Sequence, residues 1–216
     1  MNSSASLESL FAASGASFRL LTEEQRQASL DASLAHWNGR DDLWVYGYGS
    51  LVWRPEFEFV ERRFALLRGY HRSLCLWSRV NRGTPERPGL VFGLDIGGSC
   101  RGMVYRIAAQ NVPHTLTQLW KREMPSGAYL PKWLACATGP GSVKALAFVM
   151  DRSQDAYVSG LTHEQLVAIV RDAHGTYGSC TEYVLETAQA LKDAGIHDRK
   201  LDGLVHELRT PHAARS

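Results

Sequence analysis

The stretch Leu43-Trp-Val-Tyr-Gly-Tyr-Gly-Ser-Leu-Val-Trp53 has the composition of a buried β-strand, yet two glycines two residues apart interrupt it. A glycine inside a strand weakens it and usually marks a sharp change of direction or the close approach of a ligand. The backbone N–H groups of residues 48–51 could then point into one hollow that suits a carboxylate or an oxyanion. A tight turn or a β-bulge between two core strands explains the same spacing equally well. We call residues 46–51 the glycine loop, and the first interpretation places a functional site there.

The glycine loop matches neither a dinucleotide-binding motif nor a hydrolase motif. A dinucleotide-binding fingerprint requires a third glycine, which does not follow at the required offset. A nucleophile elbow has glycines two residues before and two residues after its serine, whereas Ser50 has Tyr48 and Val52 at those positions. The sequence therefore does not single out Ser50 as a nucleophile.

The overall composition is that of an ordinary globular protein. The chain has 216 residues, 44% of them hydrophobic and 21% charged, which is enough to bury a full core in one domain or slightly more. A formal charge of +2 gives no electrostatic case for nucleic-acid binding, which needs a clustered basic face. Arg79, Arg82 and Arg87 alternate with glycine and proline, which predicts a loop that could turn one arginine toward an anionic substrate.

The cysteines and the N-terminal residues favour a cytoplasmic protein. Four scattered cysteines form no CxxC pair, which favours free thiols in a reducing compartment over a zinc site. The first residues lack the basic start and apolar block of a signal peptide, and no run of about 18 apolar residues could span a bilayer. We therefore expect a cytoplasmic protein whose partner is a small molecule, with no nucleic acid and no membrane.

Strand patterns come first along the chain and helix patterns mostly later. Strands are predicted over residues 44–48, 58–68, 72–77, 90–96 and 101–107, with turns at Gly69 and at Gly97-Gly98, and again over 129–150. Helices are predicted from Thr22 to about Trp37, from Val112 to Met124, from Thr162 to about Ala173, from Ser179 to Gly195 and from Asp198 to Leu208.

This order predicts an α+β fold with a curled, mostly antiparallel sheet or small β-barrel and flanking helices. We predict that residues 41–216 form a single domain. Residues 1–40 are predicted to be an N-terminal extension with one helix, loosely held over residues 1–20.

Glu123 is the best candidate for a general base. It ends a predicted helix and is flanked by bulky apolar residues and two cations. A glutamate at a helix end is most often solvated, but an apolar pocket would raise its pKa so that it accepts a proton near neutral pH. The eight histidines are dispersed and form no ligand pair, and Glu56 and Glu58 are assigned to solvent. Tyr183 enters a helix from a glycine-hinged loop, where it either belongs to the core or hydrogen-bonds a ligand.

Five segments in this order resemble the ChaC family of γ-glutamylcyclotransferases, most closely its bacterial branch. They are the glycine-broken strand up to Trp53, Arg82-Gly-Thr-Pro-Glu-Arg-Pro-Gly-Leu90, Arg101-Gly-Met-Val-Tyr-Arg106, Leu119-Trp-Lys-Arg-Glu-Met124 and Tyr129-Leu-Pro-Lys-Trp133. The resemblance runs from about Leu43 to Leu208, and its specificity lies in the five segments together.

The resemblance implies cleavage of glutathione, or of a similar γ-glutamyl compound, into 5-oxoproline and the released amine. It implies that Glu123 is catalytic and that substrate is bound by Tyr46, Gly47, Tyr48, Gly49, Ser50, Leu51 and Tyr183. Because the substrate's own α-amine attacks its γ-carbonyl, no enzyme nucleophile, metal or cofactor is required. Relatives often carry asparagine where Cys180 stands here, so polar contacts near Tyr183 are expected to differ.

Two alternatives to a glutathione-specific enzyme stay open. One is a cyclotransferase for other γ-glutamyl amines or amino acids. The other is a non-catalytic regulatory or binding protein that kept the glycine loop. The carboxylate at Glu123 favours an enzyme, because a protein that had lost catalytic activity would not need a carboxylate at this position.

Overall fold

A computed structural model of the chain contains a closed five-stranded β-barrel with helices around it. The structure describes residues 7, 11 and 20–210. The barrel strands are β1 (Leu43–Gly47), β2 (Glu61–Ser78), β3 (Gly89–Ile107), β4 (Tyr129–Thr138) and β5 (Gly141–Met150). A separate small hairpin pairs β6 (His174–Gly175) with β7 (Gly178–Ser179). The helices are α1 (Glu23–Leu34), α2 (Val112–Glu123), α3 (His163–Asp172), α4 (Cys180–Asp193) and α5 (Arg199–Arg209). The predicted α+β barrel is confirmed.

The barrel closes through a pairing between strands that are far apart in the sequence. The strand order is β1-β3-β2-β4-β5, and the pairs along this order are antiparallel. Closure comes from a short parallel pairing of β1 with β5, which sets Trp44 beside Ala145 and Val45 beside Leu146. Alternate residues of β1 point to opposite faces, so Val45 packs in the cluster under α1 and α2 while Tyr46 packs in the cluster toward α4 and α5.

Two of the predicted turns are wrong, because they are irregularities inside long strands. β2 and β3 pair from Glu61 opposite Arg106 to Ser78 opposite Gly89. The register shifts near Gly69, which faces Gly97 and Gly98, and all three glycines have positive φ values of 86°, 104° and 68°. A β-bulge absorbs extra residues and bends the strands while the pairing continues beyond it.

The helix starts follow the predicted capping residues. The Thr22, Thr162 and Ser179 side chains each accept a hydrogen bond from a backbone N–H three residues later and complete a capping box. Helix α1 ends at Leu34, earlier than the predicted Trp37, whereas Gly195 with φ 72° follows α4 as expected. None of the helices within residues 20–210 is both long enough and apolar enough to cross a bilayer.

Helix α1 packs on α2 and directly on strand β4, where the Trp133 indole N–H donates to the Ser33 carbonyl at 3.1 Å. Trp120 of α2 donates its indole N–H to the Ser29 hydroxyl at 3.2 Å, and Leu30 is buried in the cluster beneath both helices. The predicted looseness of residues 1–20 falls outside the described residues, apart from Leu7, Phe11 and Leu20. Of these, Phe11 meets the Trp77 ring edge-on with centroids 6.0 Å apart.

Candidate active site

A cavity of about 590 Å³ lies where the end of β1, the end of α2 and the start of α4 meet. Six of the eight predicted site residues line it, namely Tyr48, Gly49, Ser50, Leu51, Glu123 and Tyr183. The wall also includes the charged residues Arg54, Glu56, Arg79, Arg82, Lys121 and Arg122 and the aromatic residues Phe92 and Tyr129. The topology thus brings together the predicted base, most of the glycine loop and the predicted tyrosine.

Tyr46 and Gly47 lie outside the cavity wall. Tyr46 is fully buried, and its hydroxyl donates to the Cys100 carbonyl at 2.9 Å. A Cβ added to Gly47 would lie 3.1 Å from both the Leu51 Cβ and a Tyr105 ring carbon, which is a tight contact. The structure therefore gives these first two residues of the glycine loop a packing role in the core.

The glycine loop ends in a single turn of 3₁₀-helix over Ser50–Val52, with Gly49 as its N-cap. The Val52 N–H donates to the Gly49 carbonyl at 3.0 Å and closes this turn. Within residues 20–210, the N–H groups of residues 49–51 make no backbone hydrogen bond of their own, as is usual in the first turn of a helix. Such groups carry partial positive charge, which suits an anionic or carbonyl oxygen. The predicted tight turn is confirmed and forms one wall of the cavity, and ligand binding by this loop stays a prediction.

Glu123 is the last residue of α2, and its side chain is 15% exposed in the cavity wall. Burial raises the pKa of this carboxyl, the neighbouring Arg122 cation lowers it, and the negative charge of Glu56 raises it again. Burial dominates, so the pKa is raised above the ordinary value of a glutamate. A carboxylate with a raised pKa accepts and returns a proton at near-neutral pH more readily than a solvated one.

Arg122 connects the candidate base to the glycine loop. Its Nε lies 3.1 Å from Glu123 Oε1, and one terminal nitrogen donates to the Ser50 hydroxyl at 2.9 Å. The other terminal nitrogen donates to the Arg54 carbonyl at 2.5 Å and to Glu56 Oε2 at 2.9 Å. One planar guanidinium thereby fixes the loop relative to the carboxylate. Glu56, assigned to solvent from the sequence, is exposed but belongs to this network.

Three buried tyrosines share the cavity with Glu123. Burial is the main cause that raises the pKa values of Tyr48, Tyr129 and Tyr183, and the negative charge of Glu123 raises them further. Their hydroxyls therefore stay protonated and can donate hydrogen bonds. Tyr183 also accepts a hydrogen bond from the Phe92 N–H at 3.1 Å, so it is both a core residue and a cavity residue.

Tyr129 is a cavity residue that the sequence alone does not identify. Its hydroxyl donates to the Phe92 carbonyl at 3.3 Å, on the same strand that holds Tyr183 through its N–H. Tyr129 lies within one of the five matched segments, but nothing in its local pattern separates a cavity tyrosine from any other strand tyrosine. Arg122 was likewise noted only as a cation flanking Glu123.

Cys180 supplies polar contacts next to Tyr183. Its thiol donates to the Leu90 carbonyl at 3.0 Å and accepts from the Leu90 N–H at 3.3 Å. At this position, where a relative's asparagine would differ, the polar contacts are therefore made by the Cys180 sulfur to the backbone of β3. Cys180 is the first residue of α4.

The arginine-rich loop between β2 and β3 contributes two cavity residues. Arg79 and Arg82 are buried and line the wall, whereas Arg87 is exposed and pairs with Asp172 at 2.8 Å. The loop therefore turns two arginines, rather than one, toward the cavity.

The sequence model of the ChaC-like protein family matches residues 43–211. The chain belongs to this family. The glutathione-specific gamma-glutamylcyclotransferase of Escherichia coli strain K12 is 37% identical over 187 residues, which cover 86% of this chain and 81% of that protein. The human glutathione-specific gamma-glutamylcyclotransferase 1 is 31% identical over 175 residues, or 78% of this chain and 79% of that protein. The resemblance identified from the sequence is confirmed.

A solved structure of a γ-glutamyl cyclotransferase has the same fold as this ChaC-like chain. A selenomethionine-labelled, glutathione-specific γ-glutamyl cyclotransferase from yeast superposes with a TM-score of 0.72 at 21% identity, covering 78% of this chain and 96% of that one. At this level of identity the likeness establishes the fold alone.

Proposed function

We propose that this ChaC-like protein is a glutathione-specific γ-glutamylcyclotransferase, which cleaves glutathione to 5-oxo-L-proline and Cys-Gly. The observation that carries the proposal is Glu123, a largely buried carboxylate with a raised pKa in one cavity with the first-turn N–H groups of the glycine loop. The activity printed for the Escherichia coli and human relatives supports the same substrate.

The reaction is an intramolecular acyl transfer. The α-amine nitrogen of the γ-glutamyl group forms a bond to the γ-carbonyl carbon, and the amide bond from that carbon to the cysteinyl nitrogen breaks. Held in a ring-closing pose, such an attack has an effective molarity of about 10⁵–10⁸ M, so orientation alone removes much of the barrier. The attacking nitrogen must then lose two protons, the leaving nitrogen must gain one, and the developing oxyanion must be stabilised.

Glu123 is assigned the proton transfer. Its carboxylate takes a proton from the substrate's α-ammonium, which frees the nitrogen lone pair for attack, and gives that proton to the departing cysteinyl nitrogen. The ring nitrogen loses its second proton to solvent as the tetrahedral intermediate collapses, and the released Cys-Gly amine takes up one proton from solvent. One positioned acid and base contributes about 10²–10⁴-fold to a rate. Arg122 is a positioning residue here, because it holds the carboxylate and the Ser50 side of the loop in one arrangement.

The glycine loop is assigned the γ-glutamyl group. The N–H groups of Gly49, Ser50 and Leu51, at the start of the 3₁₀ turn, are assigned as donors to a carboxylate or the oxyanion, and each such donor is worth a few kcal/mol when charge develops on the oxygen. The protonated Tyr183 hydroxyl accepts from the Phe92 N–H and keeps its own proton as a further donor in the same cavity. Tyr46 and Gly47, the first two residues of the glycine loop, pack in the core and support its cavity-facing part.

The proposal also includes the bounds of the catalytic domain and the cellular compartment of the protein. Residues 41–216 are inferred to be the catalytic domain, with α1 of the extension packed on α2. Four buried free thiols support a cytoplasmic location, because a reducing compartment keeps thiols free.

The proposed function is tested by incubating the purified protein with glutathione and measuring 5-oxoproline and Cys-Gly, with γ-Glu-Ala in parallel. We expect both products from glutathione and little from γ-Glu-Ala. Glu123→Gln should fold normally and lose about 10²–10⁴-fold in turnover, whereas Glu58→Gln, at an exposed glutamate, should match the unmodified protein. No 5-oxoproline from either substrate would exclude the enzyme, and an active Glu123→Gln variant would exclude Glu123 as the base.

A further inference from the structure

The cavity wall carries more positive than negative side chains. Its acidic residues are Glu56 and Glu123, and its basic residues are Arg54, Arg79, Arg82, Lys121 and Arg122. Both carboxylates pair with Arg122, and Glu56 also pairs with Arg54. The negative charge of the wall is therefore concentrated at the α2 side. Arg79 and Arg82 stand on another element, the loop that follows β2.

Tyr183 lies between the glycine loop and Arg82. A Cβ on Gly49 would be 3.4 Å from the Tyr183 hydroxyl oxygen, so the hydroxyl end faces the loop. The Arg82 guanidinium carbon lies 5.3 Å from the centroid of the same ring. A substrate whose γ-glutamyl group occupies the glycine loop can therefore extend along Tyr183 toward Arg82.

Arg82 is held in place before any substrate binds. Its side chain is 9% exposed, its backbone N–H donates to the Ser78 hydroxyl at 2.9 Å, and a terminal nitrogen donates to the Ser179 carbonyl at 3.3 Å. The chain around it is closely packed, since a Cβ on Gly83 would lie 2.1 Å from the Gly89 nitrogen. A cation fixed in this way loses little conformational entropy when it binds an anion.

The acidic neighbours of Arg82 lie on α4. Glu186 Oε2 is 3.9 Å away, and its side chain is 51% exposed; Glu182 is close enough for Arg82 to help lower its pKa. A long ion pair with a half-exposed partner is weak. The guanidinium therefore keeps the capacity to bind a carboxylate that approaches from the cavity.

Arg79 adds a second buried cation to the same wall. It is 5% exposed, donates to the Pro85 carbonyl at 3.2 Å, and has a pKa lowered by burial. A desolvated guanidinium gains more from an incoming anion than a hydrated one does.

We propose that Arg82, together with Arg79, binds the C-terminal carboxylate of the substrate, so that the enzyme selects γ-glutamyl peptides whose free carboxylate belongs to the second residue after the γ-glutamyl group. This inference rests on the proposed function and deepens it. In glutathione the carboxylate is that of glycine. γ-Glutamyl amines lack such a group, which gives a physical reason for preferring the peptide over them.

The first test compares two substrates on the unmodified protein. Glutathione amide replaces the glycine carboxylate by a neutral carboxamide of nearly the same size. We expect its kcat/KM to be about 10- to 100-fold lower than that of glutathione, as for loss of a charge-assisted hydrogen-bonded pair. Equal kcat/KM values for acid and amide would overturn the inference and leave the proposed function intact.

The second test assigns the preference to Arg82. Arg82→Gln should bring the acid-to-amide ratio to within about twofold of one, while Arg82→Lys should keep part of it because a cation remains. Arg87→Gln is the matched control, because Arg87 belongs to the same loop but is exposed and paired with Asp172. If Arg82→Gln slows both substrates equally and keeps the full ratio, Arg82 has only a structural role.

The same preference is measured as binding, independently of turnover. Calorimetry with Glu123→Gln should give a Kd for glutathione about 10- to 100-fold below that for glutathione amide, with the difference absent in the Glu123→Gln, Arg82→Gln double variant. An unmodified protein that forms no product but shows this binding preference would refute the proposed function alone. Equal Kd values would refute the carboxylate site.

Discussion

The two glycines of the glycine loop are constrained by different neighbours. At Gly47 the nearest atoms belong to Leu51 and Tyr105, so a side chain there would disturb packing. At Gly49 the nearest atoms belong to Tyr183 and Phe92, at ordinary contact distances of 3.4 and 3.5 Å. The residue pattern shows both glycines as breaks in a strand, but only the folded chain shows that one faces the core and the other the cavity.

Gly49→Ala is expected to weaken substrate binding without unfolding the protein. The added methyl group occupies the space between the loop and the Tyr183 hydroxyl, where the γ-glutamyl group is proposed to bind. We expect KM for glutathione to rise about tenfold, with a smaller change in kcat, and the urea midpoint to stay close to its original value. Gly139→Ala is the control, because a Cβ there meets nothing within 4 Å. An unchanged KM in Gly49→Ala would contradict the binding role.

The residues of the site that the sequence analysis identified are those with a local signal. The glycine loop breaks a strand, and Glu123 stands among apolar residues at a helix end, so both can be recognised in a short window. The contact between Arg122 and the Ser50 hydroxyl joins residues 72 positions apart, and Tyr129 reaches Phe92 across 37 positions. Such roles depend on strand pairing and cannot be inferred from neighbouring residues.

At the scale of elements, helix α5 is tied to the glycine loop through one buried arginine. Arg72 of β2 has a side chain that is 3% exposed, and its guanidinium donates to the Tyr48 carbonyl at 2.5 Å and to the Arg101 carbonyl at 2.6 Å. It also pairs with Asp198 at 2.5 Å, the residue that caps α5 through the Leu201 N–H. The docking of α5 and the position of the Tyr48 carbonyl are therefore coupled.

The Asp198→Asn variant removes the ion pair with Arg72 but keeps the helix cap of α5. Asparagine caps helices about as well as aspartate, so the main loss is the charge that neutralises Arg72. We expect a destabilisation of about 2 kcal/mol, below the roughly 3–5 kcal/mol for a fully buried pair because the Asp198 side chain is 25% exposed. We also expect a higher KM for glutathione, because the Tyr48 carbonyl loses its rigid support. Urea unfolding and steady-state kinetics test both, with Asp202→Asn, at an exposed position of the same helix, as control.

Element boundaries were predictable where the signal is local. The three capping boxes place the starts of α1, α3 and α4, since the cap is made by residues three positions apart. The prediction of turns at the glycines at 69, 97 and 98 is wrong, because a bulge and a turn use the same backbone conformations. What distinguishes them is the pairing of β2 with β3 on both sides of the irregularity, which is a long-range property.

For the whole molecule, the order of strands and helices indicated an α+β fold, but not how the sheet closes. Closure depends on the parallel contact of β1 with β5, whose paired residues Val45 and Leu146 lie about a hundred positions apart. That contact also sets the end of β1, and with it the glycine loop, at the cavity to which α2 brings Glu123. The barrel therefore determines the distance between two groups that the sequence presents separately.

The free energy of unfolding should depend on pH because Glu123 is buried. Burial raises the folded-state pKa of this carboxyl above its unfolded value, so its neutral form is favoured by folding. Below the unfolded pKa of about 4.3 the Glu123 carboxyl is protonated in both the folded and the unfolded state, so its ionisation does not reduce the free energy of unfolding. As the pH rises through the folded pKa, the folded protein must ionise a buried group, and stability is lost.

Glu123→Gln imitates the protonated carboxyl at every pH. We expect the variant and the unmodified protein to have similar free energies of unfolding near pH 4, and the variant to become the more stable of the two as the pH rises toward 8. Urea titrations at pH 4, 6 and 8 measure this difference, with Glu58→Gln as an exposed control whose difference should stay flat. A Glu123→Gln difference that does not change with pH would mean that the carboxyl is hydrated in the folded protein, and its assignment as a base with a raised pKa would fail.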